Sequence, residues 1–302
     1  MAYAFYYETN LTNVTNINQN VTNMTRTFYN CTNLVNAPDL SNNNRITTMY
    51  ATFYNCTNLV NAPVIPSSVT DMSYTFDGCV NLVNAPVIPN SVTNMSYTFC
   101  ACENLVDAPD MSNANNVVDM YRTFGWCHHL VNASAIPNSV NSMVETFVQC
   151  TRLANAPVIP NNVTNMYGTF RDCFNIMNAP IIPNSVTNMS ETFGNCQRIE
   201  GDIYIESENI INAAKCFYGT SLNKDVYIHF TNNGVNTATF DAFINAGYST
   251  EYRVNGVLLI DIDQDDLKDY QYTYNRLENN KYSVRLYNYI GTTNKIVTPH
   301  VN

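Results

Sequence analysis

Apolar residues return along most of this chain at a nearly fixed interval, and the same few positions are apolar each time. The most regular position is a phenylalanine, which follows the previous one after 23 residues in most units and after 25 in two. Its members are Phe5, Phe28, Phe53, Phe76, Phe99, Phe124, Phe147, Phe170, Phe193 and Phe217. Self-similarity at an interval of about 20–50 residues indicates a solenoid or another stacked repeat array.

The unit Asn81–Cys102 shows what each copy contains. Its first half, NLVNAPVIP, is rich in β-branched residues and is closed by proline, which predicts a short strand. In its second half, Val92, Met95, Phe99 and Cys102 follow one another at i, i+3, i+7 and i+10, which predicts one face of a short helix or helical turn. Because Thr, Asn and Ser are weak helix formers, we expect stacking between units to hold these segments in place.

These patterns predict an α/β repeat solenoid, with short parallel strands on one face and short helices on the other. About nine units fill residues 1–230, and residues 231–302 are predicted to form a small β-rich cap and hairpin module. The repeat pattern weakens after Glu200, where DVYIHF (Asp225–Phe230) predicts a last strand of the array.

Within the C-terminal module, Thr237–Tyr248 predicts a helix that ends at a glycine. VLLID (Val257–Asp261) predicts a strand. Apolar and polar residues then alternate over Tyr270–Leu277 and Tyr282–Tyr289, on either side of a turn, which is the pattern of a β-hairpin.

The repeated arrangement C-x-x-L-x-x-A-x-x-I-P-x-S-V-x-x-M-x-x-x-F-x-x-C resembles the BspA-like leucine-rich repeat family. The matching residues of one unit are Val92, Met95, Phe99, Cys102 and Leu105, and the resemblance covers roughly residues 1–230. It implies a curved solenoid and a surface adhesion or recognition protein of the kind found in bacteria, gut protozoa and phages. Most units depart from related repeats by carrying alanine and proline where those have a larger aliphatic residue.

Charge excludes two classes of partner. The chain has 14 basic and 24 acidic residues and a net charge of −10. It lacks the basic stripe that neutralises phosphates, so we expect it to bind neither nucleic acid nor an anionic membrane. No apolar run of about 18 residues is present to span a bilayer. The opening MAYAFYYETN has neither a basic stretch nor an apolar one, which predicts that the chain is not exported through a Sec signal.

Chemistry-bearing residues are arranged for packing rather than for catalysis. One cysteine follows each phenylalanine by three residues, and we interpret this column as small buried thiols in the reduced state. Cys100 falls outside the column and is expected to be more exposed. The alternatives for the cysteines are disulfides between units and a zinc site at Cys127-His128-His129. The acidic run from Asp261 to Asp266 is interpreted as a solvated turn, and the alternative for it is a loose cation site. The histidines sit at unrelated repeat positions, so the sequence predicts no enzyme, no metal and no cofactor.

Binding is expected on exposed repeat positions, because solenoids present long rows of side chains. The two positions after the leading leucine are mostly valine and asparagine, and they predict an exposed, largely uncharged ribbon along the strand face. The alternative is that its asparagines hydrogen-bond to backbone groups between units. A lone tryptophan on the predicted helix side is a candidate contact residue. The candidate binding residues are Val60, Asn61, Val83, Asn84, Val106, Asp107, Val131, Asn132 and Trp126.

The two chain ends are candidates for self-association. The array begins at the second half of a unit, and the C-terminal KIVTPHVN resembles a strand with its closing proline. An open sheet edge invites pairing with another chain, so a head-to-tail contact is one hypothesis and a segment cut from a longer chain is the other. The candidate residues are Met1, Tyr3, Phe5, Tyr6, Tyr7, Ile296, Val297, Pro299 and Val301.

Two classes of function remain open. The first is a structural or recognition component of a phage virion, such as a fibre, decoration or receptor-binding protein that docks to other virion proteins. The alternative is a bacterial cell-surface adhesin of BspA type, or the subunit of a self-assembling extracellular filament. In either case we expect the ligand to be a protein or a glycan on a surface.

Overall fold

The computed structural model describes residues 1–207 and 209–220 with their side chains, together with the backbone of four further strands. In chain order the strands are β1 (Ile203–Ile205), β2 (Tyr227–Phe230), β3 (Leu258–Asp261), β4 (Tyr270–Arg276) and β5 (Tyr282–Tyr289). No helix occurs in these described parts of the chain.

Isolated parallel bridges join consecutive units along two columns. The first column contains Asn13, Asn36, Asn61 and Asn84, and continues as the pairs Asp107–Asn132 and Asn155–Asn178. The second column runs through Asn23, Thr48, Asp71, Asn94, Asp119, Ser142, Asn165, Asn188 and Asn212. A proline, such as Pro86 two residues after Asn84, has no N–H to donate to a neighbouring unit, which limits how far the predicted strands pair.

The second half of each unit is a series of tight turns rather than the short helix that the sequence predicts. Around Phe99, the N–H groups of Thr98 and Cys100 donate to carbonyls three residues back, at 3.0 and 3.2 Å. The N–H groups of Tyr97 and Phe99 donate instead to the next unit, at 2.8 and 2.9 Å. An α-helix would need each of them to bond four residues back within its own segment, so this alternation excludes a helix.

Left-handed backbone at two residues of each unit produces these turns. In the same unit they are Tyr97, with φ 57°, and Ala101, with φ 54°. Such residues interrupt a right-handed helix because their side chains crowd the following carbonyl. We call the stack of turns formed by residues 95–101 and their equivalents in the other units the turn ladder.

Phenylalanine rings form a continuous stack at the centre of the turn ladder. From Phe5 to Phe217, neighbouring rings are 5.3–5.8 Å apart between centroids and tilted by 1–12°. The leucine, isoleucine, valine and methionine columns pack around them and are almost fully buried, as the repeat pattern predicts. This single core runs the length of the described array.

The cysteine column contributes buried free thiols, which confirms the packing interpretation. All ten cysteines of the chain are unpaired and buried. The Cys102 Sγ donates to the carbonyl of Phe76 in the preceding unit, at 3.2 Å, and the other thiols of the column do the same. Cys100, outside the column, is 6% exposed, which is more than the 0% of the column cysteines but still buried.

Threonines provide a second buried polar column that the sequence interpretation missed. The Thr98 hydroxyl lies 2.8 Å from the carbonyl oxygen of Met95 and 2.9 Å from that of Met72, one unit earlier. Its counterparts in the neighbouring units are also fully buried. Each hydroxyl has one hydrogen to donate and lies within reach of a carbonyl of its own unit and a carbonyl of the preceding unit. The core therefore contains polar contacts between consecutive units.

The C-terminal strands match the predicted strand segments. β1, β2 and β3 pair in parallel, in that order, and β4 and β5 form an antiparallel hairpin. The predicted helix Thr237–Tyr248 lies outside the described residues. The boundary between the array and the C-terminal module stays a prediction.

Candidate functional site

Two adjacent exposed columns form what we call the valine–asparagine face. Its valines are 36–43% exposed, although they are large apolar side chains. Eight of the predicted binding residues lie here: Val60, Asn61, Val83, Asn84, Val106, Asp107, Val131 and Asn132. In each of these units the valine and the asparagine or aspartate that follows it are both exposed, although the leucine before them is buried.

Side-chain amides connect the units along this face. The Asn84 Nδ2 donates to Asn61 Oδ1 at 2.7 Å, and the Asn132 Nδ2 donates to Asp107 Oδ1 at 2.6 Å. These side chains therefore bond to each other, whereas the alternative from the sequence was a bond to backbone. An amide that donates to its neighbour is held in one orientation, so the face presents an ordered row of polar groups between the valines.

A second exposed apolar column lies close by in sequence. The sequence analysis did not propose it as a binding surface. Val64, Val87, Val158 and Ile181 are 65%, 59%, 83% and 55% exposed. Between the later units a groove of about 350 Å³ is lined by Ala156, Pro157, Val158, Ile159, Asn161, Pro180, Ile181, Pro183 and Glu206. The available signal was an apolar residue at a position that accepts aspartate in other units.

Trp126 belongs to the turn ladder and not to the valine–asparagine face. Its backbone is left-handed, with φ 60°, and its ring centroid is 5.2 Å from the Arg122 guanidinium carbon. The Arg122 side chain also packs on Tyr97 and Tyr121. The tryptophan is half-buried against these neighbours, so it is not the isolated exposed residue that the sequence suggests.

An ion-pair network continues along the turn ladder from Arg122. The Glu145 side chain is 5% exposed. Its carboxylate pairs with the Arg122 Nε at 2.5 Å and with an Nη of Arg171. Arg171 also pairs with Glu191, at 2.5 Å. The sequence interpretation did not find this network, although opposite charges at one ladder position in successive units were a visible signal.

The predicted assembly residues are only partly within the described chain. Tyr3, Tyr6 and Tyr7 are exposed, at 49%, 39% and 54%, and Met1 is 37% exposed. Phe5 is half-buried and stacks on Phe28 at 5.3 Å. Ile296, Val297, Pro299 and Val301 lie outside the described residues, so the head-to-tail contact stays a prediction.

Other candidate chemistry does not converge. Within residues 1–207 and 209–220, no three His, Cys, Asp or Glu side chains come together in a group that could hold a metal ion. The His129 Nδ1 lies 2.9 Å from the Glu103 carbonyl oxygen, and the Cys127 thiol donates to the Phe99 carbonyl. No described helix is long and apolar enough to cross a membrane. Most of the acidic run after Asp261 lies outside the described residues.

The stacked turns, the single-residue bridges and the leucine column define a repeat solenoid of the leucine-rich class. The chain belongs to the family described as BspA type leucine-rich repeat region, which matches residues 1–106 and 120–246 in six copies. Residues 64–157 also match a family described as a Mycoplasma protein of unknown function. No curated protein matches the chain.

Three solved structures are similar to this chain. A leucine-rich repeat protein from Bacteroides ovatus is 19% identical, with a TM-score of 0.49 over 72% of this chain and 69% of that one. The leucine-rich repeat protein of T. pallidum is 22% identical, with a TM-score of 0.40 over 62% and 70%. A leucine-rich cell surface protein from Faecalibacterium prausnitzii is 19% identical, with a TM-score of 0.43 over 71% and 80%.

Proposed function

We propose that the protein is a non-enzymatic adhesin that binds a protein surface through the valine–asparagine face. The observation that carries the proposal is the row of exposed valines, 36–43% exposed, beside asparagine and aspartate side chains that hydrogen-bond to each other in pairs. Exposed apolar side chains in a row favour a macromolecular partner, since their burial releases water from a large area. Membership of the BspA-type family supports a binding role.

The face suits a protein more than a small ligand. Side chains that already hydrogen-bond in pairs need fewer new partners when the valines are covered, which lowers the cost of burying them. The repeat geometry extends the same surface over several units, and an extended surface suits a protein interface more than a small pocket does. The phage virion and the filament subunit stay predictions that the family match does not favour over a cell-surface adhesin.

The test compares charged substitutions on and off the face. The double variant V83D/V106D places carboxylates among the exposed valines. The matched control V118D changes a valine that is 43% exposed but lies outside the face. Fluorescently labelled proteins are applied to epithelial monolayers and to bacterial cells, with and without prior protease treatment of the cells. Unchanged melting temperatures establish that each variant is folded.

We expect V83D/V106D to lose binding by about ten-fold or more, and V118D to bind like the unchanged protein. Protease treatment of the target cells should remove the binding if the ligand is a protein. Equal binding of V83D/V106D and the unchanged protein would refute the role of this face. Binding confined to bacterial cells would favour the virion alternative.

A further inference from the structure

Arg26 lies in the turn ladder among three tyrosine rings. Its guanidinium carbon is 5.8, 5.6 and 5.6 Å from the ring centroids of Tyr3, Tyr29 and Tyr50. Its Nη1 donates to the Tyr3 hydroxyl at 3.3 Å. Cation–π contacts of this kind hold a guanidinium in place without neutralising its charge. We call Arg26 and these three tyrosines the tyrosine cage.

Arg122 occupies the same ladder position four units later and has the same kind of surroundings. Both arginines have a left-handed backbone conformation, with φ 49° for Arg26 and 51° for Arg122. The Arg122 guanidinium packs at 5.2–5.6 Å from three aromatic centroids. Its Nη1 donates to the Tyr97 hydroxyl at 3.2 Å, and Tyr97 precedes it by one unit, as Tyr3 precedes Arg26.

The aromatic neighbours of the two arginines are not all equivalent, and a carboxylate is present beside only one of the two. The Arg122 Nε donates to Glu145, at 2.5 Å, and Glu145 is the residue at the same ladder position one unit later. The corresponding residue after Arg26 is Ala51, which has no carboxylate. Among the described residues the Arg26 Nε is buried and has no hydrogen-bond partner.

We propose that the tyrosine cage binds the carboxylate of an acidic sugar, which supplies to Arg26 the counter-charge that Glu145 supplies to Arg122. Arginine pairs with carboxylates through two parallel hydrogen bonds, so a ligand carboxylate supplies what the internal comparison shows to be absent. Arg26 is half-buried, but its hydrogen bond from Nη1 to the Tyr3 hydroxyl lies at the surface, so a ligand reaches this edge of the guanidinium from solvent.

Neighbouring tyrosines favour a sugar over an acidic peptide. Tyr3, Tyr6 and Tyr7 are 39–54% exposed, and successive rings are 5.4 and 4.6 Å apart between centroids. Flat aromatic faces pack against the apolar C–H face of a pyranose ring, where their negative π-cloud meets weakly positive hydrogens. A uronic or sialic acid carries that flat face and a carboxylate on one ring, whereas an aspartate or glutamate side chain carries the carboxylate alone.

This site is separate from the valine–asparagine face, so each can fail without the other. The experiment is isothermal titration of the full chain with trigalacturonic acid, at a concentration where light scattering shows a monomer. Two further ligands separate the possible sources of the carboxylate: the trimethyl ester of the same sugar, which is neutral, and hexaglutamate, which is an acidic peptide. We expect trigalacturonic acid to bind, its affinity to fall with added salt, and the other two to bind at least about ten-fold more weakly.

Three variants locate the site. R26Q should weaken trigalacturonate binding by about ten-fold or more, since it removes a charged hydrogen-bond donor. The control R45Q changes an exposed arginine that donates to Asn20 outside the cage, and it should bind normally.

The third variant, A51E, supplies the internal carboxylate that Arg122 already has. The ladder accepts it, because Glu145 is 4% exposed with φ 50° and Ala51 is 2% exposed with φ 49°. A51E should keep or raise the melting temperature and lose trigalacturonate binding. The proposal is overturned if A51E and R26Q bind like the unchanged protein, if the ester binds as well as the acid, or if hexaglutamate binds as well as the sugar.

Discussion

Truncation of one central phenylalanine should weaken the whole array more than truncation of a terminal one. The Phe99 ring is fully buried and stacks between Phe76 at 5.5 Å and Phe124 at 5.7 Å. F99A removes a complete side chain from both contacts and leaves a cavity, which costs about 3–5 kcal/mol in the free energy of unfolding. Phe5 is half-buried and stacks on one ring only, so F5A should cost about 1–2 kcal/mol.

Urea unfolding followed by circular dichroism measures both changes. Because each unit contacts only its neighbours, the loss at Phe99 weakens the coupling between two halves of the array, whereas the loss at Phe5 affects one end. We therefore expect F99A to lower both the midpoint and the steepness of the transition, and F5A to lower the midpoint slightly. If F99A unfolds at the same urea concentration as F5A, the continuous phenylalanine stack does not carry the stability assigned to it.

Four further predictions test other parts of the structure. T98V should cost about 1–2 kcal/mol, because it removes a buried hydroxyl donor and places a methyl group against two carbonyls, while T98S should cost less; thermal melts compare them. E145Q should destabilise the fold by about 1–3 kcal/mol and more than E191Q, because Glu145 is buried between two arginines and Glu191 is partly exposed. Burial raises the pKa of the column thiols, so Ellman's reagent should leave them unmodified in native protein and modify all ten cysteines in urea. Burial also raises the pKa of Asp77 to about 7, so this group holds a proton in the folded state that the unfolded state releases near pH 4. Stability should therefore fall as the pH rises from about 4 to 7 and then level off, and D77N should reduce that slope.

Repetition made the core columns of this fold predictable, whereas the conformation of the second half of each unit was not. The spacing of Val92, Met95, Phe99 and Cys102 fits a helix and the observed turns equally well, because both return a side chain to one side after three or four residues. What separates them is left-handed backbone at residues such as Arg122 and Trp126, which seldom adopt it. The available signal was glycine or asparagine at the same ladder positions in other units, such as Gly168 and Asn55.

For the candidate site, the sequence predicted exposure better than it predicted contacts. The two positions after the leading leucine were expected to form an exposed ribbon, and their valines and asparagines are exposed in the structure. The hydrogen-bond partner of each asparagine amide depends on the distance between neighbouring units. This distance cannot be read from the residues of a single column. The Arg122–Glu145 pair and the unmatched Arg26 required comparison of residues 23 or 25 apart at one ladder position, because their contacts are made between units and not within them.

The hydrogen bonds of the turn ladder have a direction, and this limits how such a gene can change in length. Each of the inter-unit N–H groups at Arg26, Phe28 and Asn30 donates to a carbonyl of the following unit, and the same holds at the equivalent residues further along. A tandem duplication or deletion of one complete unit leaves every donor opposite an acceptor. A shift by one residue within the ladder brings these donors to carbonyls, such as those of Ala51 and Phe53, that already accept from their own unit. Within the turn ladder, gains and losses by recombination are therefore tolerated in whole units, and the length of the array can vary while the fold does not.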